Sequence, residues 1–144
     1  MKLARNCAGF FLFIKGVIFI KITDEEIAAA ERAVPILRLL EQTVTYCRPG
    51  NYRFRAAFPK EYGTWTEIAT TLRQSPVEEV RDYGRSMADV VRCLNEVDEA
   101  VAGGNARQVR RKIAAHIRSW KALSRRWEAF GARMIAEELA KDGN

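Results

Sequence analysis

Residues 105–139, NARQVRRKIAAHIRSWKALSRRWEAFGARMIAEEL, form the longest uninterrupted helical pattern in the chain and carry its most lopsided charge. On a 3.6-residue period Val109, Ile113, Ile117, Trp120, Leu123, Trp127, Phe130 and Met134 share one side, which marks an amphipathic helix with a wide buried face. The opposite side is basic. Arg107, Arg111, Arg118 and Arg125 fall almost on one axial line, flanked by Arg110, Lys112, Lys121 and Arg126, and no carboxylate occurs between Asn105 and Arg126.

The helix before it has the complementary character. Val77, Val80, Tyr83, Gly84, Met87, Val90, Val91, Leu94, Val97 and Val101 mark one face of a long helix, while seven acids against three bases lie between Pro76 and Ala102. Gly103-Gly104 supplies the left-handed conformation that ends a helix, and Asn105-Ala-Arg-Gln108 caps the next. So short a link makes the two helices antiparallel neighbours, acid against base. That pairing accounts for flanking cations such as Lys112, but the Arg107, Arg111, Arg118, Arg125 line points away from the apolar face and stays unmatched.

Working towards the N-terminus, Ser75-Pro76-Val-Glu78 and Thr64-Trp-Thr-Glu67 both read as capping boxes, the second opening a short helix with Trp65, Ile68, Ala69 and Leu72 on one face. The spacing of Trp65, Ile68-Ala69, Leu72, Ser75 and Val80 resembles the first two helices of a helix-turn-helix unit over about 20 residues. It departs from that pattern at Arg73, where a small residue is usual. Its second helix would also offer Glu78, Glu79 and Asp82 to phosphates that repel them, so a plain helical corner is the preferred reading.

Tyr52-Arg53-Phe54-Arg55 follows the break at Arg48-Pro49-Gly50-Asn51 and alternates aromatic with basic residues, as a short half-exposed strand would. Tyr52 and Phe54 are candidate stacking groups for single-stranded nucleic acid, though aromatics covering a core edge are the simpler expectation. Thr23-Asp-Glu-Glu26 is another capping box, beginning a helix that turns Ile27, Val34, Leu37, Leu40 and Val44 inward. Pro35 predicts a kink or break near Val34. Ile36, Leu37, Leu39 and Leu40 make the second half apolar nearly all round, which calls for burial on two sides or a partner.

Residues 1–22 stand apart as an apolar N-terminal segment, with 23–144 as a single helical domain. The run from Cys7 to Ile22 is interrupted by Lys15, lacks a small-residue cleavage site and is too short to span a bilayer as a helix. Its β-branched and aromatic composition, with Lys15-Gly16 as a tight turn, predicts a strand or small hairpin, ahead of membrane contact or a leader outside the fold.

The chain has 144 residues and a net charge of +6, enough for one domain with an ordinary core. The charge is concentrated: residues 1–22 carry four bases and no acid, residues 105–126 eight bases and no acid. Cys7, Cys47 and Cys93 are widely spaced and odd in number, so a complete intrachain disulfide framework is excluded and a reducing cytoplasm is the simplest reading. One histidine and no Cys/His cluster give no zinc pattern. His116 falls in the apolar sector of its helix, where a core residue with one hydrogen bond is expected. The paired carboxylates Glu25-Glu26 and Glu78-Glu79 occupy first turns, where the helix dipole explains them, and no phosphate-binding glycine loop occurs.

The sequence therefore predicts a mainly α fold: a kinked N-terminal helix, a short helix and a long antiparallel helical hairpin, with a small β-hairpin or strand drawn from residues 8–22 and 51–58. No catalytic residue, metal or cofactor is expected. The leading expectation is a non-enzymatic, cytoplasmic protein-binding protein, of the kind mobile elements carry as inhibitors or antiactivators. Arg107, Arg111, Arg118, Arg125 and Lys121 are its candidate binding residues, with apolar surface near Leu39 as a second contact. The alternative is a nucleic-acid-binding protein using the same arginine face with Tyr52 and Phe54, and a weaker one is membrane association through residues 7–22.

Overall fold

A computed structural model describes residues 11–14, 17–45 and 54–142, with side chains described for 20–42 and 54–142. The helical hairpin dominates. Helix α4 (Glu78–Gly103) and helix α5 (Ala106–Asp142) lie against each other along their length, joined through Gly104 and Asn105. Gly104 takes φ 72°, the left-handed conformation glycine adopts without a Cβ clash, and its N–H reaches the Val101 carbonyl at 3.1 Å. Asn105 Oδ1 then accepts the Gln108 N–H at 3.1 Å, the expected N-cap.

Ahead of the hairpin come α1 (Asp24–Thr45), one turn of helix α2 (Phe54–Ala57) and α3 (Pro59–Arg73). Helix α1 packs on α3, and α3 on α4. The backbone strands β1 (Phe11–Ile14) and β2 (Val17–Ile20) pair antiparallel, Phe11 opposite Ile20 and Ile14 opposite Val17. The turn expected at Lys15-Gly16 lies outside the described residues.

Local chemistry sets each boundary. The Thr23 box forms as expected, with Thr23 Oγ1 accepting the Glu26 N–H at 3.1 Å and Glu26 Oε1 accepting the Thr23 N–H at 2.9 Å. Ser75 Oγ accepts the Val77 N–H at 3.1 Å just before α4. Helix α3 starts six residues earlier than the Thr64 box suggested, because Pro59 at the first helical position and Glu61 in the first turn already favour a start there. Thr64 lies inside that helix.

Two further expectations are corrected. Residues 54–57 are helical rather than extended, and Phe54 is buried. Phe54 packs its ring on Phe58 and Tyr62, at centroid distances of 5.6 and 6.5 Å, while Arg55 lies 5.4 Å over the Tyr62 ring. The chain also does not break at Pro35, where α1 continues. Pro35 is exposed, and so is Glu31, whose carbonyl loses its helical donor to the proline and is left on the solvent side.

Helix α1 centres its buried stripe on smaller residues than expected; of those expected inward, Leu40 is fully buried, Ile27 and Leu37 pack partly buried against the core, and the Val44 side chain lies outside the described residues. Ala29, Ala30, Ala33, Ile36 and Leu40 are buried, whereas Ile27, Val34 and Leu37 are only partly covered. Small residues let α1 approach α3 closely, and the larger ones flank the contact. Gly84 does the same for α3 and α4, since a Cβ there would sit 2.6 Å from the Arg73 amide nitrogen and 2.9 Å from the Leu72 carbonyl carbon. Trp65 fills the centre, fully buried, and donates its indole N–H to the Met87 carbonyl at 2.8 Å.

Candidate binding surfaces

The acidic and basic helices meet as a ladder of ion pairs. Lys112 Nζ lies 3.5 Å from Glu96, Arg126 3.6 Å from Asp82 and Arg133 3.2 Å from Glu79. Each rung is at least partly exposed, so each contributes only about 0–1 kcal/mol, and the ladder sets register more than stability. Glu79 and Asp82 belong to the second helix of the helix-turn-helix-like stretch; there they are paired to α5.

The remaining cations of α5 face outward. Arg107, Arg111, Arg118, Lys121 and Arg125 are all exposed, and none has an ion-pair partner among the described residues. From Arg107 to Arg125 the ridge runs about 27 Å at 1.5 Å per residue. The structure thus brings together all five predicted binding residues on one helix face. It does not join the aromatic candidates to them: Phe54 is committed to the core edge, and Tyr52 lies outside the described residues.

A second surface lies between α1 and α5, where the start of α1 faces residues 130–135 of α5 and Leu37 and Glu41 face residues 120–124, without close backbone packing. Ile27, Val34 and Leu37 form one wall, and Trp120, Trp127, Met134 and Ile135 form the other. The wider part has a volume of about 670 Å³ and the narrower about 280 Å³, and Trp127 and Glu128 border both. Among the described residues, Glu31 and Glu41 on α1 and Glu128 on α5 are the charged ones lining it. Trp127 is fixed from behind by Tyr83 and Phe130, at ring distances of 5.1 and 5.8 Å. Burial also pushes the Tyr83 hydroxyl above its ordinary titration range. The apolar contact surface expected near Leu39 is not this groove: Leu39 does not line it and is half-buried against the core.

A third concavity, about 430 Å³ between α3 and α4, is lined by Tyr62, Thr66, Arg73, Asn95 and Glu96 among others. Asn95 donates to the Tyr62 hydroxyl at 2.9 Å there. Among the described residues no group of three or more His, Cys, Asp or Glu is placed to hold a metal, and no helix is long and apolar enough to cross a membrane. Cys93 is a buried free thiol; Cys7 and Cys47 lie outside the described residues.

His116 is fully buried, as its position implied, but without the expected hydrogen bond. Neither ring nitrogen has a partner of acceptable geometry among the described residues. Burial lowers its pKa below 6.5, and the nearby Val90 backbone offsets this only in part.

Sequence reasoning missed Arg133 and Glu137. Glu137 is buried at the C-terminal end of α5 and accepts the Ile22 backbone N–H at 2.7 Å, while Arg133 donates to the Ile20 carbonyl as well as to Glu79. Burial raises the Glu137 pKa above 4.5, opposed by the Ile22 N–H and by the charges of Arg133 and Lys21, and reinforced by Glu26. The signal was present: Glu137 stands one heptad beyond Phe130 on the apolar side, where a carboxylate requires a buried donor.

No family model, characterised protein or solved structure matches the chain.

Proposed function

We propose that this chain is a non-enzymatic protein that acts by binding another protein through the outward ridge of α5. The observation that carries the reading is the contrast along one helix. Lys112, Arg126 and Arg133 are matched by the acidic helix, while Arg107, Arg111, Arg118, Lys121 and Arg125 are left to solvent. Like charges at i and i+4, such as Arg107 and Arg111, cost a helix a few tenths of a kcal/mol each, so the row is unfavourable in the isolated chain and is relieved by an acidic surface. An inhibitor or antiactivator that covers an acidic face of a regulatory protein would use such a ridge, through steering and complementarity more than through contact area.

Nucleic acid would also answer the charge, but one feature favours protein: Phe54 is buried and offers no stacking platform beside the ridge. The deciding experiment is a nuclease-treated pulldown from the native host, comparing the natural chain with Arg111→Glu plus Arg118→Glu. A single stoichiometric protein recovered by the first and lost by the second is the expected result. Recovery that ignores the charge reversal would refute the ridge, and recovery of nucleic acid alone, with affinity falling steeply in salt, would replace the protein partner by phosphate.

A further inference from the structure

We infer that the groove between α1 and α5 is a docking site for an amphipathic helix of a partner protein, one whose apolar stripe is flanked by lysine or arginine. From Ile27 to Glu41 the α1 wall runs about 21 Å, the length of a helix of about 14 residues. The walls are apolar side chains, Trp127 among them backed by the Tyr83 and Phe130 rings, and Ile135 and Leu139, 63% and 67% exposed, extend the apolar surface past one end. A helix presenting residues at i, i+3, i+4 and i+7 matches such a channel.

Charge selects the occupant. In a chain of net charge +6, the charged side chains that line the groove among the described residues are carboxylates, Glu31 and Glu41 on one lip and Glu128 on the other, and it is Glu31 and Glu128 that carry the selection. Lys121 and Arg125 belong to the ridge and are not among the lining residues, so the occupant's cations lie against Glu31 and Glu128. This site is independent of the ridge and opposite to it in preference.

The test is fluorescence anisotropy on the full chain with labelled synthetic helices of about 16 residues, identical in their leucine stripe but flanked by lysine or by glutamate. The lysine-flanked peptide is expected to bind at least about tenfold tighter, against the overall charge of the protein, which would favour the other. Glu31→Lys with Glu128→Lys should reverse that order. Ile135→Asp, at an exposed position that leaves the core intact, should remove binding without changing helicity. Arg111→Glu with Arg118→Glu should leave the peptide affinity within about twofold, which separates failure of the groove from failure of the ridge. Equal binding of a peptide with scrambled leucines, preference for the glutamate flank, or absence of binding would each overturn the proposal. So would a dimer of the natural chain that Ile135→Asp converts to monomer, since a second copy would then fill the groove.

Discussion

Glu137, near the end of α5, accepts the backbone N–H of Ile22 at 2.7 Å, joining residues 115 positions apart. One turn earlier, Arg133 donates to the carbonyl of Ile20. Two side chains thus serve an extended backbone as a neighbouring strand would, which is how Ile22 comes to be buried beside the helices. Replacing Glu137 by leucine leaves the Ile22 N–H without an acceptor and should cost about 1–3 kcal/mol in urea unfolding. Glu137→Gln keeps an acceptor oxygen and should lose much less. Hydrogen exchange at the Ile22 amide should quicken in the first variant and change little in the second.

His116 gives the fold an acid sensitivity of defined sign. Its pKa is depressed in the folded chain, so between 6.5 and the folded value the unfolded chain binds the extra proton, and stability falls as pH drops through that window. Glu137 acts oppositely: its folded pKa is raised, so the burden of its buried charge lifts as pH falls towards 4.5. Unfolding titrations of His116→Leu should show less loss of stability below pH 6.5 than the natural chain. An unchanged acid slope in that variant would rule out His116 as its source.

Two glycines should respond in opposite directions to the same substitution. Glycine inside a helix ordinarily costs about 0.5–1 kcal/mol relative to alanine. At Gly131 nothing lies within 4 Å of the place an alanine methyl would take, so Gly131→Ala should stabilise by about that amount. Gly84→Ala forces a methyl to 2.6 Å from the Arg73 nitrogen, backbone that cannot yield without moving α3, and should destabilise by about 1–3 kcal/mol. Thermal melts of the two variants decide the matter.

The ridge and the ladder should separate in salt. Arg111→Ala with Arg118→Ala removes self-repelling charge from an exposed face and should change stability by no more than about 0.5 kcal/mol. Arg133→Ala removes a carbonyl donor and a partly buried ion pair at once, and should cost more. Repeating both melts in high salt should narrow any gain in the ridge variant, because screening already supplies it.

The hairpin was legible because each part of its signal is local: apolar periodicity, the glycine pair and the Asn105 cap all lie within a few residues of the structure they make. The ridge was legible for the same reason, since its residues share one helix. The α1 stripe was not, because alanine says little about burial by itself; Ala30 and Ala33 became core only where neighbouring helices came close. Phe54 misled through its alternation with Arg53 and Arg55, a pattern too short to separate a strand from a helical turn. The groove and the Arg133 and Glu137 contacts depend on elements far apart in sequence, where only an out-of-place carboxylate on an apolar face gave warning.

The two-residue link at Gly104 and Asn105 also bears on the order in which the chain assembles. Closing so short a loop loses little entropy, so α4 and α5 can zip together from the turn outward as soon as both are synthesised. Contact between Glu137 and Ile22 must wait for the opposite ends of the sequence to meet. Refolding should therefore bring in the hairpin's helicity first and the protection of the N-terminal backbone last, with that same junction the first to open when the folded protein fluctuates.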